Sequence, residues 1–247
     1  MIERNIKLVL AYDGSGYHGW QRQKNQITIQ GIVEEKIRVM VGKPVTLIGS
    51  GRTDAGVHAI NQVANFMTRS SLVPDKIKRG LNSLLPNDIL VKQASYVPLS
   101  FHARYGTTCK IYEYRILNRE DPDIFQRNYV WHVRRSLDRD EMAGCLAVLE
   151  GRHDFSAFRS SGSGNMDPVR RITRAQLLGP EDNLLRIIIE ADGFLRHMVR
   201  NIVGTIVDAG LRKTDSDRFK EILESQDRTL AGIKAPPQGL FLVSVEY

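Results

Sequence analysis

One stretch concentrates more chemistry than any other in the sequence: Gly51-Arg52-Thr53-Asp54-Ala55-Gly56-Val57-His58-Ala59 sets a carboxylate between two basic side chains and two turn glycines. A carboxylate in such a setting can attack as a nucleophile, carry a proton or help to hold a metal ion. Residues 45–48 are apolar and largely β-branched, and Gly49-Ser50-Gly51 breaks that pattern, so Asp54 is expected on a loop at a strand end. Loops held by a rigid sheet are where chemistry concentrates. Composition also leaves a plainer role open, in which Asp54 caps the turn it forms with Gly56. Metal binding is the weaker chemical option. Asp54 and His58 supply two ligands at most, and Gly56 between them opposes the helix that would align them. His58 is read in two ways, as a phosphate contact or as a hydrogen-bonding partner within the turn.

Further candidates are scattered. Tyr112 and Tyr114 share one face of a strand expected at 107–117, where aromatic side chains are most often core. A helix expected from Leu195 carries an apolar stripe of Leu195, Val199, Ile202 and Ile206, which leaves Arg196, Arg200 and Asn201 off the stripe and the two arginines one turn apart. In the closing strand, Phe241, Val243, Val245 and Tyr247 form the apolar face, so Leu240 and Leu242 point the other way with Ser244 and Glu246. Residues 159–168 are small, polar and turn-rich. They read as a mobile loop, either a connector or a segment that orders on RNA, with Arg159, Arg170 and Arg171 beside it to meet phosphate.

The elements that must position these residues follow from periodicity. Residues 5–12 alternate as a strand, and a helix capped by Thr28 runs from Ile29 to a stop at Gly42 and Pro44. Strands follow at 45–48 and 62–66, a helix opens at Pro74-Asp75 and closes near Leu84, and a strand fills 89–97. This order of strand, helix, strand, strand, helix, strand is a split βαβ pattern. A second half is expected to begin at Phe101, with strands at 107–117, 129–133, 172–178, 184–191 and 241–247 and helices at 137–150, 195–209 and 215–224. The expectation is an α+β protein of two pseudo-symmetric split βαβ (ferredoxin-like or RRM-like) halves, residues 1–100 and 101–247, whose antiparallel sheets meet at a central active-site cleft.

Whole-chain properties narrow the class. The 247 residues and 42% hydrophobic content suffice for a substantial core. Thirty-five lysines and arginines against 28 acids give a formal net charge of +7, which favours a polyanionic partner. Arginine pairs such as Arg134-Arg135 and Arg170-Arg171 suit phosphate oxygens. Cys109 and Cys145 are too few and too far apart for a disulfide framework or thiolate metal site. The opening Met-Ile-Glu-Arg-Asn lacks a signal pattern and no apolar run nears the roughly 20 residues of a membrane span, so no membrane partner and a cytoplasmic location are expected.

The 51–59 run, continuing through Ile60-Asn61-Gln62-Val63-Ala64-Asn65-Phe66, resembles the catalytic motif of the tRNA pseudouridine synthase A family. Similar stretches lie in family order at Ala11-Tyr12-Asp13-Gly14 with Gly19-Trp20-Gln21, at Phe101-His102-Ala103-Arg104, at Tyr112-Glu113-Tyr114-Arg115, at residues 197–204 and at residues 239–243. The resemblance implies isomerisation of uridine to pseudouridine at tRNA positions 38, 39 and 40 of the anticodon stem-loop, by a homodimer and with no cofactor or metal. It implies that Asp54 is catalytic, that Arg200 pairs with that acid, and that Tyr112 stacks on the target base. Enzymes acting on paired bases extrude them, and Arg52 is placed to enter the gap or hold the flanking phosphate. Leu240 and Leu242 are read as the pocket floor or as packing, and His58, Arg159, Arg170, Arg171 and Arg196 as RNA contacts. Two rival readings stand beside this one: a non-catalytic RNA-binding module, which needs no Asp54, and a metal-dependent hydrolase using Asp54 and His58.

Overall fold

The computed structural model describes residues 2–160 and 167–247. The chain forms two compact units, Met1–Thr108 together with Phe241–Tyr247, and Cys109–Leu240.

In the first unit β1 (Arg4–Tyr12) is flanked by β3 (His58–Thr68) and β4 (Ile89–Val97), antiparallel to both. The short β2 (Ile48–Gly49) pairs antiparallel with β3 at Ile48↔Asn65. The order 4-1-3-2 is that of a split βαβ sheet. Ile6, Leu8 and Leu10 of β1 alternate into the core with Phe66 of β3, as a strand with one covered face requires. The helices α1 (Ile29–Val41) and α2 (Pro74–Leu84) supply the facing layer through Ile29, Val33, Ile37, Ile77 and Leu81. Thr28 caps α1 by accepting from the Gly31 N–H, and Gly42 ends it in the left-handed conformation at φ 76°.

The expected strand at 45–48 is a correction: only Ile48–Gly49 joins the sheet. Leu47 is held another way. Its N–H donates to the Glu34 carboxylate and its carbonyl accepts from the Gln30 amide, so side chains of α1 satisfy backbone that a ladder would otherwise take. β3 begins four residues earlier than the expected 62, at His58, which shortens the motif loop to residues 50–57.

The second unit is built on β5 (Cys109–Asn118), β9 (Leu184–Ala191), β8 (Val169–Glu181) and β7 (Gly151–Asp154), each antiparallel to the next, with β6 (Trp131–Val133) parallel to β5. β7 was not expected from the sequence. The first strand of each unit thus pairs antiparallel with the second strand of a hairpin, β1 with β3 and β5 with β9, and this repeat of pairing is the visible internal likeness of the halves. The helices α3 (Arg139–Leu149), α4 (Met198–Gly210) and α5 (Ser216–Ser225) pack on one another. Their core includes Met142, Cys145, Ile206 and the stacked rings of Phe158 and Phe219, 5.4 Å apart.

The expected boundary at 100/101 differs from the observed units. Residues 101–108 stay with the first unit, and β10 (Leu240–Glu246) returns to it, pairing parallel with β3 at Phe241↔His58 and Leu242↔Ala59. Tyr247 then donates its hydroxyl to the Ala103 carbonyl at 2.8 Å and packs against Phe101 at 4.9 Å. Among the described residues no helix is long and apolar enough to cross a membrane.

Candidate active site

Asp54 opens a β-turn closed by the bond from the Val57 N–H to its carbonyl at 3.1 Å, with Gly56 at φ 77°. A left-handed third residue is what glycine supplies to such a turn. The Gly56 N–H donates to the Tyr17 carbonyl at 3.3 Å. The turn is therefore closed by its own backbone and tied to the backbone of residues 13–20.

That neighbouring segment lies at backbone contact distance. The Trp20 N–H donates to the Thr53 carbonyl at 3.0 Å, and a Cβ on Gly19, whose φ is 86°, would stand 2.6 Å from the same oxygen. Any larger residue would push the loop that carries Asp54. The Thr53 hydroxyl shares a 2.8 Å hydrogen bond with the Tyr12 hydroxyl. Gln62 continues the network: its amide donates to Tyr12 and to the Gly51 carbonyl, and it accepts the Ser50 hydroxyl at 2.6 Å. Tyr12, Ser50, Thr53 and Gln62 are all buried, and burial pushes the Tyr12 hydroxyl up to about 12 against the pull of its bonds with Thr53 and Gln62.

Arg52 is exposed, and its Nε donates to Gln21 Oε1 at 3.0 Å. His58 is 2% exposed, accepts the Gly14 N–H on Nδ1 at 3.1 Å, and stacks on Phe241 at 4.6 Å. A ring buried to that extent offers phosphate no face, which corrects the RNA-contact reading of His58 in favour of hydrogen bonding beside the turn. Asp13 Oδ1 also lies 3.2 Å from that nitrogen. Leu242 is buried in β10 beside Ala59.

The second unit holds the other candidates, several of them around the loop between β9 and α4. Tyr112 is buried at 8% exposure and meets Phe194 edge-on at 4.9 Å. Arg170 Nε lies 3.2 Å from the position a Cβ on Gly193 would take, and the exposed Arg196 accepts the Ser160 N–H on its carbonyl. Arg170 donates to the Asp167 and Val169 carbonyls, while Arg171 is exposed on β8. Arg159 is half-buried. Most of the loop expected at 159–168, residues 161–166, lies outside the described residues.

Arg200, off the apolar stripe of its helix, is nonetheless buried. Helix α4 starts at Met198 and is enclosed on nearly all sides, so Arg200 is 7% exposed and Asn201 fully buried. The Arg200 Nε donates to the Ala235 carbonyl at 2.8 Å, and the Ala235 N–H donates back to the Arg200 carbonyl at 3.0 Å. This doubly bonded segment lies against the arginine face of the helix. Tyr114 beside Arg200 is fully buried and donates to the Pro236 carbonyl at 2.8 Å; burial raises its hydroxyl well above the usual value, against the nearby Arg200 charge. Leu240 is buried at the start of β10.

Sequence reasoning missed Gln21, Gln30, Glu34 and Gln62 as supports of the loop. The available signal was polar residues set into apolar patterns, at positions where burial demands a partner. Among the described residues no group of three His, Cys, Asp or Glu side chains is placed to hold a metal ion.

Comparison with known proteins adds a family. A model described as tRNA pseudouridine synthase matches residues 8–106 and 146–247. The tRNA pseudouridine synthase A of Thermoanaerobacter sp. (strain X514) is 48% identical over 244 residues, covering 99% of this chain and 100% of that protein. The tRNA pseudouridine synthase A of Acetivibrio thermocellus is 46% identical over 244 residues, with the same coverage of both chains.

Proposed function

The chain belongs to the tRNA pseudouridine synthase family and is an isomerase converting uridine to pseudouridine, and we propose that Asp54 is the carboxylate that performs the conversion. The reaction breaks the bond between N1 and C1′, turns the uracil and rejoins it through C5. C5 gives up a proton and N1 gains one, so nothing is oxidised and no group is donated. The step needs a carboxylate to attack C1′ or to stabilise and relay a proton on the base. The observation that carries this reading is the turn at residues 54–57. Its own backbone closes it, the Tyr17 carbonyl and the Trp20 N–H tie down Gly56 and Thr53, and Asp54 is the one acid of that loop.

The finer assignments rest on the same motif matches. Arg52 enters the gap left by the extruded base or holds the flanking phosphate. Tyr112 stacks on the target uracil, Arg200 pairs with the Asp54 carboxylate, and Leu240 and Leu242 supply apolar contacts to the base. Arg159, Arg170, Arg171 and Arg196 contact the RNA backbone, consistent with a net charge of +7. The substrate uridines are those at positions 38, 39 and 40 of the anticodon stem-loop, and the enzyme works in the cytoplasm as a homodimer.

Replacing Asp54 with Asn is expected to abolish pseudouridine formation in a tRNA transcript while tRNA affinity stays within about threefold, because the change removes a negative charge from a site that binds a polyanion. Turnover by Asp54→Asn rejects the assignment and means that another group does the work of the carboxylate. For Arg200, Ala should lower turnover at saturating tRNA more than Lys does, since Lys restores charge without the planar fork. Equal losses would place its role elsewhere.

A further inference from the structure

The guanidinium that precedes Asp54 is held by a polar relay running to the buried face of α1. Arg52 Nε donates to Gln21 Oε1 at 3.0 Å, and Gln21 Nε2 donates to Gln30 Oε1 at 2.9 Å. Gln30 Nε2 donates to Glu34 Oε1 at 3.1 Å and to the Leu47 carbonyl at 3.0 Å. Glu34 in turn accepts the Leu47 N–H at 2.9 Å and the Arg22 guanidinium at 2.7 Å. Gln30 Oε1 also takes the Arg22 N–H at 2.9 Å.

Direction in this relay is fixed from the buried end outward. Glu34 and the Leu47 carbonyl are acceptors only, so the Gln30 amide must turn its NH2 toward them and its oxygen toward residues 21 and 22. That oxygen demands a donor, so Gln21 turns its NH2 inward and its own oxygen outward. The outward oxygen has one donor at hand, Arg52 Nε. Gln30 and Glu34 are buried, where flipping the Gln30 amide would strand polar groups away from water. An exposed hydrogen bond to arginine is ordinarily a weak tether. This one is anchored through an amide whose orientation the interior dictates.

We propose that Gln21 is a positioning residue for Arg52. By holding Nε it sets the plane of the guanidinium before tRNA arrives and turns the two terminal nitrogens away from the protein, toward the gap or phosphate they are to meet. A long side chain ordered in advance loses less freedom when the base is extruded. The inference rests on the role assigned to Arg52 above.

The test compares Gln21→Met, Gln21→Glu, Arg52→Ala and the Arg52→Ala/Gln21→Met double variant on an unmodified tRNA transcript. It measures single-turnover rate at saturating RNA, Kd and thermal midpoint. Gln21→Met keeps the length of the side chain and removes its acceptor, and it should slow the rate about three- to tenfold with Kd within about twofold of wild type. Gln21→Glu restores an acceptor for Nε but sets a carboxylate oxygen against Gln30 Oε1, so it should recover only part of the rate and lower the thermal midpoint. In the Arg52→Ala background, Gln21→Met should add less than about twofold. An equal loss in both backgrounds, or a wild-type rate for Gln21→Met beside an impaired Arg52→Ala, overturns the inference alone. Full activity of Arg52→Ala overturns the reading of Arg52 and the inference together.

Discussion

At the scale of single residues, Tyr12 shows how a buried side chain can hold the loop that carries Asp54. Its position on the buried face of the opening strand is legible from the alternation of Ile6, Leu8, Leu10 and Tyr12. Its bond to the Thr53 hydroxyl is not, because the partner lies 41 residues away and only the register of β1 on β3 brings the two together. The burial of that hydroxyl gives a pH prediction. Burial raises the Tyr12 hydroxyl from 10.0 to about 12, so between those values the folded chain keeps a proton that the unfolded chain releases. The associated stability is whole below pH 10 and is lost as pH rises toward 12, on the order of 2–3 kcal/mol. Tyr12→Phe should cost about 1–2 kcal/mol at pH 8, by leaving Thr53 and Gln62 short of a partner, and should make the fall between pH 8 and pH 11 shallower. Urea midpoints at both pH values give the comparison. Parallel declines in the variant and wild type would show that Tyr12 does not titrate in this way.

At the scale of elements, most helices and strands follow from local pattern, and the departures share a cause. The strand expected at 45–48 shrinks to two residues because Gln30 and Glu34 reach across from α1 to bind the Leu47 backbone. The stripe on α4 suggested one covered face, yet the segment around Ala235 covers a second and buries Arg200. In each case a distant segment supplies what periodicity cannot report. The segment at residues 13–20 is the clearest instance, because its glycines read as generic turn formers. Gly19 is required for two separate reasons, a φ of 86° and a Cβ position 2.6 Å from the Thr53 carbonyl. Gly19→Ala should therefore destabilise the protein by about 1–3 kcal/mol and displace the Asp54 loop, so that kcat falls about tenfold or more while tRNA affinity changes little. Retention of full kcat at a temperature where the variant is folded would show that the loop tolerates the shift.

At the scale of the whole molecule, the chain leaves its first unit after Thr108, builds Cys109–Leu240, and comes back with Phe241–Tyr247. Division by sequence at residue 100 missed this, because a seven-residue apolar strand carries no mark of which sheet it joins. The return has structural content. Phe241 stacks on His58 at the start of β3, the Thr108 N–H donates to the Glu246 carbonyl at 2.9 Å, and Tyr247 closes on Phe101 and Ala103. The residues that follow the Asp54 turn are thus pinned by residues 183 positions later, as in Phe241↔His58, and the first unit is complete only when both of its pieces are present. Tyr247→Ala removes the ring contact and the hydroxyl bond together and should cost about 1.5–3 kcal/mol. The loss should be local in a telling way. Amide exchange should speed up at Ala103 and along β10, while Tyr247→Phe, which keeps the ring, should recover more than half of the stability. Unchanged exchange around residue 103 in Tyr247→Ala would mean that residues 241–246 hold the first unit together without the tyrosine.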